Sequence, residues 1–283
     1  MVQTVSQALV WATNRLREKG IDEPRLDAEV LLSYLLGMDR AKLYLNREAV
    51  LSDEQIGRFR NLVERRGLRE PVAYLTGTKE FMSLDFKVNS SVLIPRPDTE
   101  ILVEEILAIK PALMVDVGTG SGAIAISAAY YLPETRVFAT DISPEALNLA
   151  RENAINLGVS DRIEFVQGNL LTPFINRPNF RVDLIAANLP YIPGEVLKEL
   201  PDEVRKYEPA LALDGGCEGL DLYKSLIGQV PRVLKSGGRL LMEIGYNQSG
   251  LLADFLTQIP CFSGIRVIKD LSGRDRVVSV AMA

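Results

Sequence analysis

From about residue 98 onward, the chain alternates between short apolar runs and helical patterns, and this alternation constrains the fold more than any other feature. Most of the apolar runs are hydrophobic at nearly every position, which is typical of parallel strands buried on both faces. We therefore predict an α/β fold with a mostly parallel sheet between two layers of helices. The predicted strands lie at 112–118, 136–141, 163–167, 182–188, 239–245, 265–270 and 275–283.

The first 75 residues have a different pattern, with apolar side chains at helical spacing. Thr4 with Gln7, and Ser52 with Gln55, have the spacing of a capping box, in which two side chains bond the free backbone N–H groups at a helix start. These signals predict a small helical domain.

The end of the last helix in this region is basic. Positive side chains complement the dipole at a helix C-terminus, so a solvated face is one interpretation. A docking surface for a partner is the other, and the sequence leaves both open. The residues are Arg58, Arg60, Arg65, Arg66 and Arg69.

The segment 72–95 separates the two parts of the chain. It contains short alternating runs, clearest at 80–88, which predict strands and a hairpin. Two prolines at 95 and 97 then stop both helix and sheet pairing. We predict a helical N-terminal substrate-docking domain at 1–71, a β-hairpin linker at 72–95 and a catalytic domain at 96–283.

Composition excludes several kinds of function. The 283 residues include no histidine and two cysteines. Serine or cysteine triads, His-ligated zinc and a histidine general base are therefore excluded, as is a thiolate metal site. No apolar run approaches the roughly 20 residues of a membrane helix, and the N-terminus lacks a signal-peptide pattern, so we expect a cytoplasmic protein without metal or membrane.

Three of the predicted strands end in residues suited to binding a ligand, and ligands bind outside the carboxyl ends of strands in such sheets. The first strand runs into a glycine-rich loop whose backbone can approach a ligand closely. The second ends at Asp141, whose carboxylate can accept both hydroxyls of a ribose. We predict that an adenosine-containing cofactor binds Gly118, Thr119, Gly120, Ser121, Gly122 and Asp141. The loop alone does not separate NAD from S-adenosylmethionine, because Gly118-x-Gly120-x-x-Ala123 also fits a dinucleotide fingerprint.

The third strand end, Asn188-Leu189-Pro190-Tyr191, favours methyl transfer. Asn188 offers a side-chain oxygen, and the Leu189 carbonyl is free of a sheet ladder because proline follows. Two acceptors and a flat ring suit a planar –NH2 group. We predict that Asn188 and Tyr191 act in catalysis, that all four residues bind the substrate, and that Asn188 also contacts the cofactor.

These motifs resemble those of class I S-adenosylmethionine-dependent amino-methyltransferases, and most closely the release factor glutamine methyltransferases of the PrmC/HemK family. The resemblance implies a helical domain, a hairpin and a Rossmann-like, seven-stranded domain whose last strand is antiparallel. It implies S-adenosylmethionine as cofactor and, as protein substrate, the Gly-Gly-Gln glutamine of peptide chain release factors in translation termination. The matching segments are 71–81, 92–104, 116–127, 187–193, 208–223 and 273–278.

The resemblance also assigns residues. It places the methionine part of the cofactor at 118–122, the ribose at Asp141, and the glutamine amide at Asn188 and the Leu189 carbonyl, with Tyr191 beside it. The chain departs from the family at two points. Leu189 replaces the first proline of Asn-Pro-Pro-Tyr, although its backbone carbonyl remains. Asn169, followed by Leu170, replaces the aspartate that meets the adenine amino group, so that bond would lack charge.

Other functions remain open at this point. An N-methyltransferase of a nucleic-acid base amino group would use the same Asn-x-Pro-Tyr pattern, but residues 76–283 are acidic, with 26 Asp and Glu against 20 Lys and Arg. A nicotinamide dehydrogenase would need a group that polarises a carbonyl, and no histidine exists. A non-catalytic cofactor-binding scaffold is a further alternative.

Overall fold

The computed structural model describes residues 3–283. It contains two compact units. The first comprises the chain up to Thr78 together with Pro201–Tyr207, and the second comprises Lys79–Leu200 and Glu208–Ala283.

The first unit is helical, as the sequence predicts. Both predicted capping boxes are present: the Thr4 hydroxyl accepts from the Gln7 N–H, and the Ser52 hydroxyl accepts from the Gln55 N–H. Its apolar side chains form a core of their own. Its elements up to Thr76 are β1 (Gln3–Thr4), α1 (Val5–Glu18), α2 (Pro24–Leu36), α3 (Arg40–Leu45), β2 (Val50–Leu51), α4 (Asp53–Gly67) and α5 (Val72–Thr76).

The basic end of α4 combines exposed and buried arginines: Arg58, Arg60 and Arg65 are exposed, whereas Arg66 is buried. Arg66 is 8% exposed, and its guanidinium lies 2.7 Å from a carboxylate oxygen of Asp27 and 2.7 Å from one of Glu203. Two further arginines make bonds within the same unit. These bonds are Arg65 to Glu70 at 2.5 and 2.8 Å, and Arg69 to the Gly20 carbonyl at 2.7 Å. Much of the basic cluster therefore stabilises the unit itself.

The second unit carries the predicted alternation of strands and helices, and one helix in this stretch, α10, belongs to the first unit. The elements are β3 (Thr78–Phe81), β4 (Leu84–Lys87), α6 (Glu100–Ile109), β5 (Leu113–Val117), α7 (Ala123–Tyr131), β6 (Arg136–Asp141), α8 (Pro144–Asn156), β7 (Ile163–Gln167), α9 (Thr172–Ile175), β8 (Val182–Ala187), α10 (Asp202–Tyr207), α11 (Asp221–Gln229), β9 (Leu234–Glu243), α12 (Ser249–Thr257), β10 (Phe262–Lys269) and β11 (Asp275–Met282).

Seven of these strands form one sheet in the order β10-β11-β9-β8-β5-β6-β7. Neighbours from β9 to β7 are parallel, whereas β11 is antiparallel to both β9 and β10. The α/β architecture and the antiparallel last strand are thus confirmed. Because β5 lies between β6 and β8, the strand order reverses there, which is where ligands bind in open α/β sheets.

The sheet is buried on both faces, which explains its continuously apolar strands. On β5, Met114 belongs to one hydrophobic cluster and Val115 to the other; on β8, Leu184 and Ile185 divide in the same way. Alternate side chains of each strand therefore enter opposite cores.

Two predicted elements differ from the structure. Residues 72–76, at the start of the predicted β-hairpin linker, form the short helix α5, and Gly77 ends it in the left-handed conformation at φ 74°. The strand predicted at 239–245 is β9, which begins at Leu234, because the pairing with β8 continues past an irregularity that contains Gly237 at φ 77°. The β3–β4 hairpin lies where alternation predicts it.

No helix within residues 3–283 is long and apolar enough to cross a membrane.

Candidate functional site

A cavity of about 370 Å³ opens at the carboxyl ends of β5, β6, β7 and β8, entirely within the second unit. Ligand pockets of this kind span about 300–1,000 Å³. Most of the predicted site residues line it: Gly118, Thr119, Gly120, Ser121, Asp141, Asn169, Leu170, Asn188, Leu189 and Pro190. Gly122 and Tyr191 do not line it, although both lie next to residues that do.

The loop after β5 has glycine at two positions with left-handed backbone angles. Gly118 has φ 74°, and a Cβ there would also lie 2.9 Å from Leu189 Cδ2, the end of a flexible side chain. Gly122 has φ 84° and precedes α7; a Cβ there would lie 2.6 Å from Ile126 Cδ1. The backbone around them therefore depends on the missing side chains.

Asp116 stabilises this loop through hydrogen bonds of its side chain. It is fully buried, and its Oδ2 accepts from the Thr119 hydroxyl at 2.6 Å and from the Ala125 N–H at 3.2 Å. Burial raises the pKa of this carboxyl to about 7, and the two hydrogen bonds offset part of that shift. Sequence reasoning included Asp116 in the motif but did not assign it this role.

Asp141 is held in place by backbone donors. Its Oδ2 accepts from the Gly120 N–H at 2.9 Å, and its Oδ1 accepts from the Ser143 N–H at 2.9 Å. The glycine loop and the acidic strand end are therefore joined directly. A carboxylate has about four lone-pair sites, so each oxygen can still accept a ligand hydroxyl.

The end of β7 forms the neighbouring wall. Leu170 has φ 53°, a backbone conformation that a leucine seldom adopts, and the N–H of the following residue, Leu171, donates to Gln229 Oε1 at 2.9 Å. This turn brings both Asn169 and Leu170 to the cavity. The cavity wall here thus combines a neutral amide with an apolar side chain.

Asn188 follows β8, and its amide is oriented by a side chain from another part of the fold. Its Nδ2 donates to Thr99 Oγ1 at 3.1 Å. Thr99 is 4% exposed and also lines the cavity. Since the amide nitrogen points to Thr99, the oxygen Oδ1 is the atom left for a ligand.

Leu189 has a backbone N–H group that a proline would lack, and this N–H group is hydrogen-bonded. The Leu189 N–H donates to Tyr223 Oη at 3.0 Å, and the Tyr223 hydroxyl donates to the Glu243 carbonyl. Tyr223 is fully buried and Leu189 is 4% exposed. The Leu189 carbonyl lies 3.3 Å from Tyr223 Oη, a longer contact, so it retains capacity to accept from a ligand.

We expect Tyr223→Phe to lower the free energy of unfolding by about 1–3 kcal/mol, because it leaves the buried Leu189 N–H without its acceptor. Leu189→Pro should also destabilise, through lost packing. The double variant should lose less than the sum of the two, since proline removes the unpaired donor. Urea denaturation of all four proteins measures this coupling, and strict additivity would contradict it.

Tyr191 packs against the core beside the cavity, not into its wall. Burial raises the pKa of its hydroxyl to about 12, and nearby Glu243 adds to the shift. Its backbone carbonyl accepts from Gln248 Nε2 at 2.8 Å. A Cβ on Gly219 would lie 2.2 Å from the same carbonyl oxygen, so close backbone packing fixes this loop.

Several wall residues were not predicted as site residues. Arg96 donates to Glu208 at 2.5 Å, and the other oxygen of Glu208 accepts from the Ile94 N–H at 3.3 Å. The segments concerned, 92–104 and 208–223, were identified only through the family resemblance. The wall residues that these two segments add are Val92, Leu93, Pro95, Arg96, Thr99, Pro209, Leu211, Ala212 and Leu222.

Comparison with known proteins agrees with this architecture. The family model of the PrmC N-terminal domain matches residues 7–77, and a methyltransferase domain model matches residues 111–259. A crystal structure of a methyltransferase from Pyrococcus furiosus is similar in fold alone, with a TM-score of 0.52, 19% identity, and coverage of 72% of this chain and 91% of that one.

Two curated relatives are similar over almost their whole length. The release factor glutamine methyltransferase of Moorella thermoacetica is 46% identical, covering 96% of each chain. That of Geobacter sulfurreducens is 42% identical, covering 98% of this chain and 96% of the relative. This chain belongs to the release factor glutamine methyltransferase family.

Proposed function

We propose that this enzyme transfers the methyl group of S-adenosylmethionine to the side-chain amide nitrogen (N5) of the glutamine in the Gly-Gly-Gln motif of peptide chain release factors. The observation that carries the proposal is the pair of acceptors at the end of β8: Asn188 Oδ1, left free by the bond to Thr99, and the Leu189 carbonyl. Both residues line the same cavity as the glycine loop and Asp141.

The cavity fits the cofactor chemically. Asp141 would accept the ribose hydroxyls, Asn169 the adenine amino group, and the loop at 118–122 would face the methionine part. Leu170 and Ile142 add apolar surface for the adenine ring. When bound, S-adenosylmethionine supplies an electrophilic methyl group on a sulfonium.

The protein's own contribution is orientation. Asn188 and Leu189 each accept one N–H of the substrate amide, so its plane and its nitrogen are fixed before reaction. These bonds become stronger as the nitrogen becomes positive, which favours the transition state over the bound substrate. The chain contains no histidine, so no imidazole assists the nitrogen.

The alternatives left open by the sequence are not favoured by the relatives, which are named release factor glutamine methyltransferases. We place no nucleic acid, membrane or metal in the proposed reaction. The substrate belongs to translation termination, so the proposed place of action is the cytoplasm.

Labelling tests the proposal directly. Wild-type enzyme is incubated with methyl-labelled S-adenosylmethionine and a purified bacterial release factor, and the label is mapped by peptide mass spectrometry. We expect label on the Gly-Gly-Gln glutamine alone. A release factor with that glutamine changed to alanine is the control. Label elsewhere, or none, would refute the proposal.

The helical domain, residues 1–71 with the linker at 72–95, is proposed to dock the release factor, and 96–283 to bind cofactor and amide. One amide offers little surface to offset the entropy lost on positioning. Methylation of an isolated Gly-Gly-Gln peptide should therefore be far less efficient than that of the intact factor. Equal kcat/KM values for the two substrates would contradict remote docking.

Asp141→Ala should weaken cofactor affinity by about 1.5–3 kcal/mol, the worth of hydrogen bonds to a charged acceptor. The rate at saturating cofactor should change little, because the residues around the amide are intact. Calorimetric titration with S-adenosylhomocysteine measures the affinity. Asp141→Asn, which keeps one acceptor oxygen, should lie between alanine and wild type, and detectable NAD binding to wild type would count against the cofactor assigned.

A further inference from the structure

Glu243 is a buried carboxylate that the proposed mechanism does not use. It ends β9 and is 1% exposed, and within residues 3–283 neither of its side-chain oxygens has a hydrogen-bond partner. A buried, unpartnered acceptor costs stability, so such a residue in a native fold calls for an explanation.

The sheet register places Glu243 beside Asn188. Ala187 and Met242 are partners across the parallel strands β8 and β9, and the next residue on each strand is Asn188 and Glu243, respectively. Adjacent positions in register on parallel strands project to the same face of the sheet. The Tyr223 hydroxyl binds the Glu243 carbonyl and accepts from the Leu189 N–H, so both strand ends are held by one side chain.

Within residues 3–283, no counter-ion pairs closely with the Glu243 carboxylate. Burial raises the pKa of its carboxyl to about 7, and Thr99, Arg276 and Asn188 lower it only in part, against Asp98. The close ion pairs of Arg276 are with other carboxylates. Those partners are Asp98 at 2.9 Å and Asp270 at 3.2 Å.

On this basis, and resting on the proposed function, we propose that Glu243 is a positioning residue that fixes the Asn188 amide with its oxygen toward the substrate. The oxygen and nitrogen ends of an asparagine are nearly the same size, so neighbours decide which end faces the cavity. The ionised carboxylate, which predominates above a pH of about 7, accepts and does not donate, and it therefore favours Nδ2 on its own side. Thr99, which accepts from the same Nδ2, supports that orientation.

The test is a cycle of kinetic measurements with a release factor as substrate. Glu243→Gln is nearly isosteric but can present an –NH2 group to Asn188, which permits the reversed amide. We expect kcat to fall about 10- to 100-fold, the scale of a small misplacement, with S-adenosylhomocysteine affinity within about twofold of wild type. Asp270→Asn, which alters another carboxylate near Arg276, is the matched control and should retain wild-type kcat.

The Asn188→Ala background separates positioning from a general structural role. If Glu243 acts through Asn188, adding Glu243→Gln to Asn188→Ala should not slow the enzyme further, whereas a structural role predicts a further loss. If the glutamine variant does not fold, as judged by its circular dichroism, Glu243→Asp replaces it in the same cycle with the same expectation, because the shorter side chain withdraws the carboxylate from Asn188.

The role of Glu243 and the proposed function can be refuted separately. Wild-type kcat in Glu243→Gln, or multiplicative losses in the Asn188→Ala background, would overturn the role of Glu243 while wild-type methylation of the release factor still stands. Absence of methylation by the wild-type enzyme would overturn the proposed function, and the role of Glu243 with it.

Discussion

Asn188→Ala should lower the rate of methyl transfer at saturating substrates by roughly 100-fold or more, the scale of removing one hydrogen-bond partner of a developing charge. Asn188 supplies one of the two acceptors proposed for the substrate amide, and Thr99 holds its orientation at 3.1 Å. Its loss should not alter the bonds between Asp141 and the glycine loop. Single-turnover kinetics measure the rate, and calorimetry measures cofactor affinity.

Asn169→Ala is a matched control, because it removes the same side chain from the opposite side of the same cavity. We expect it to weaken cofactor affinity and to leave the rate at saturating cofactor nearly unchanged. We therefore expect Asn169→Ala to change mainly the cofactor affinity, and Asn188→Ala to change mainly the rate of methyl transfer. An unchanged rate in Asn188→Ala would remove that residue from the mechanism.

The sheet and the cofactor side of the site were predictable because their causes are local. Continuous apolar strands require burial on both faces, and the glycines after β5 permit backbone angles that other residues avoid. Asp141 and Asn188 were identified because strand ends in a parallel sheet meet at one edge. Each inference needed only one segment and the rules of its fold class.

The supporting contacts were not predictable, because they join residues far apart in sequence. Thr99 meets Asn188 across 89 positions, and Tyr223 meets Leu189 across 34. No periodicity links such pairs, and Tyr223 in a helical pattern resembles any core residue. For the same reason, the sequence did not indicate that Arg66, at the basic end of α4, forms a buried ion pair with Asp27.

Breaking the ion pair between Arg66 and Asp27 should have the second large effect, on the free energy of unfolding. Arg66→Met should lower the free energy of unfolding by about 3–5 kcal/mol, because it leaves Asp27 buried without its partner. The side chains of the two residues are 9% and 13% exposed, so solvent screens the pair little. Arg58→Met, an exposed arginine of the same helix, is the control and should change stability by less than about 0.5 kcal/mol.

The pH dependence of the stability loss in Arg66→Met tests whether an unpaired Asp27 causes it. Burial already raises the pKa of Asp27 above its ordinary value, and without Arg66 it should rise further. A carboxyl whose folded pKa exceeds its unfolded pKa loses stability as pH rises between the two values, so the penalty of Arg66→Met should be larger at pH 8 than at pH 5. Adding Asp27→Asn should remove that pH dependence; if the penalty is equal at both pH values, an unpaired Asp27 is not its source.

Because Arg66 stabilises the helical unit, a test of docking must use another arginine. Charge reversal at Arg66 would reduce methylation by unfolding the unit, whether or not a release factor binds there. Arg58 is exposed on the same helix, so its reversal changes surface charge without breaking the Asp27 pair. A loss of kcat/KM for the release factor in Arg58→Glu, with unchanged stability and cofactor affinity, would support docking on this face; an unchanged value would place docking elsewhere.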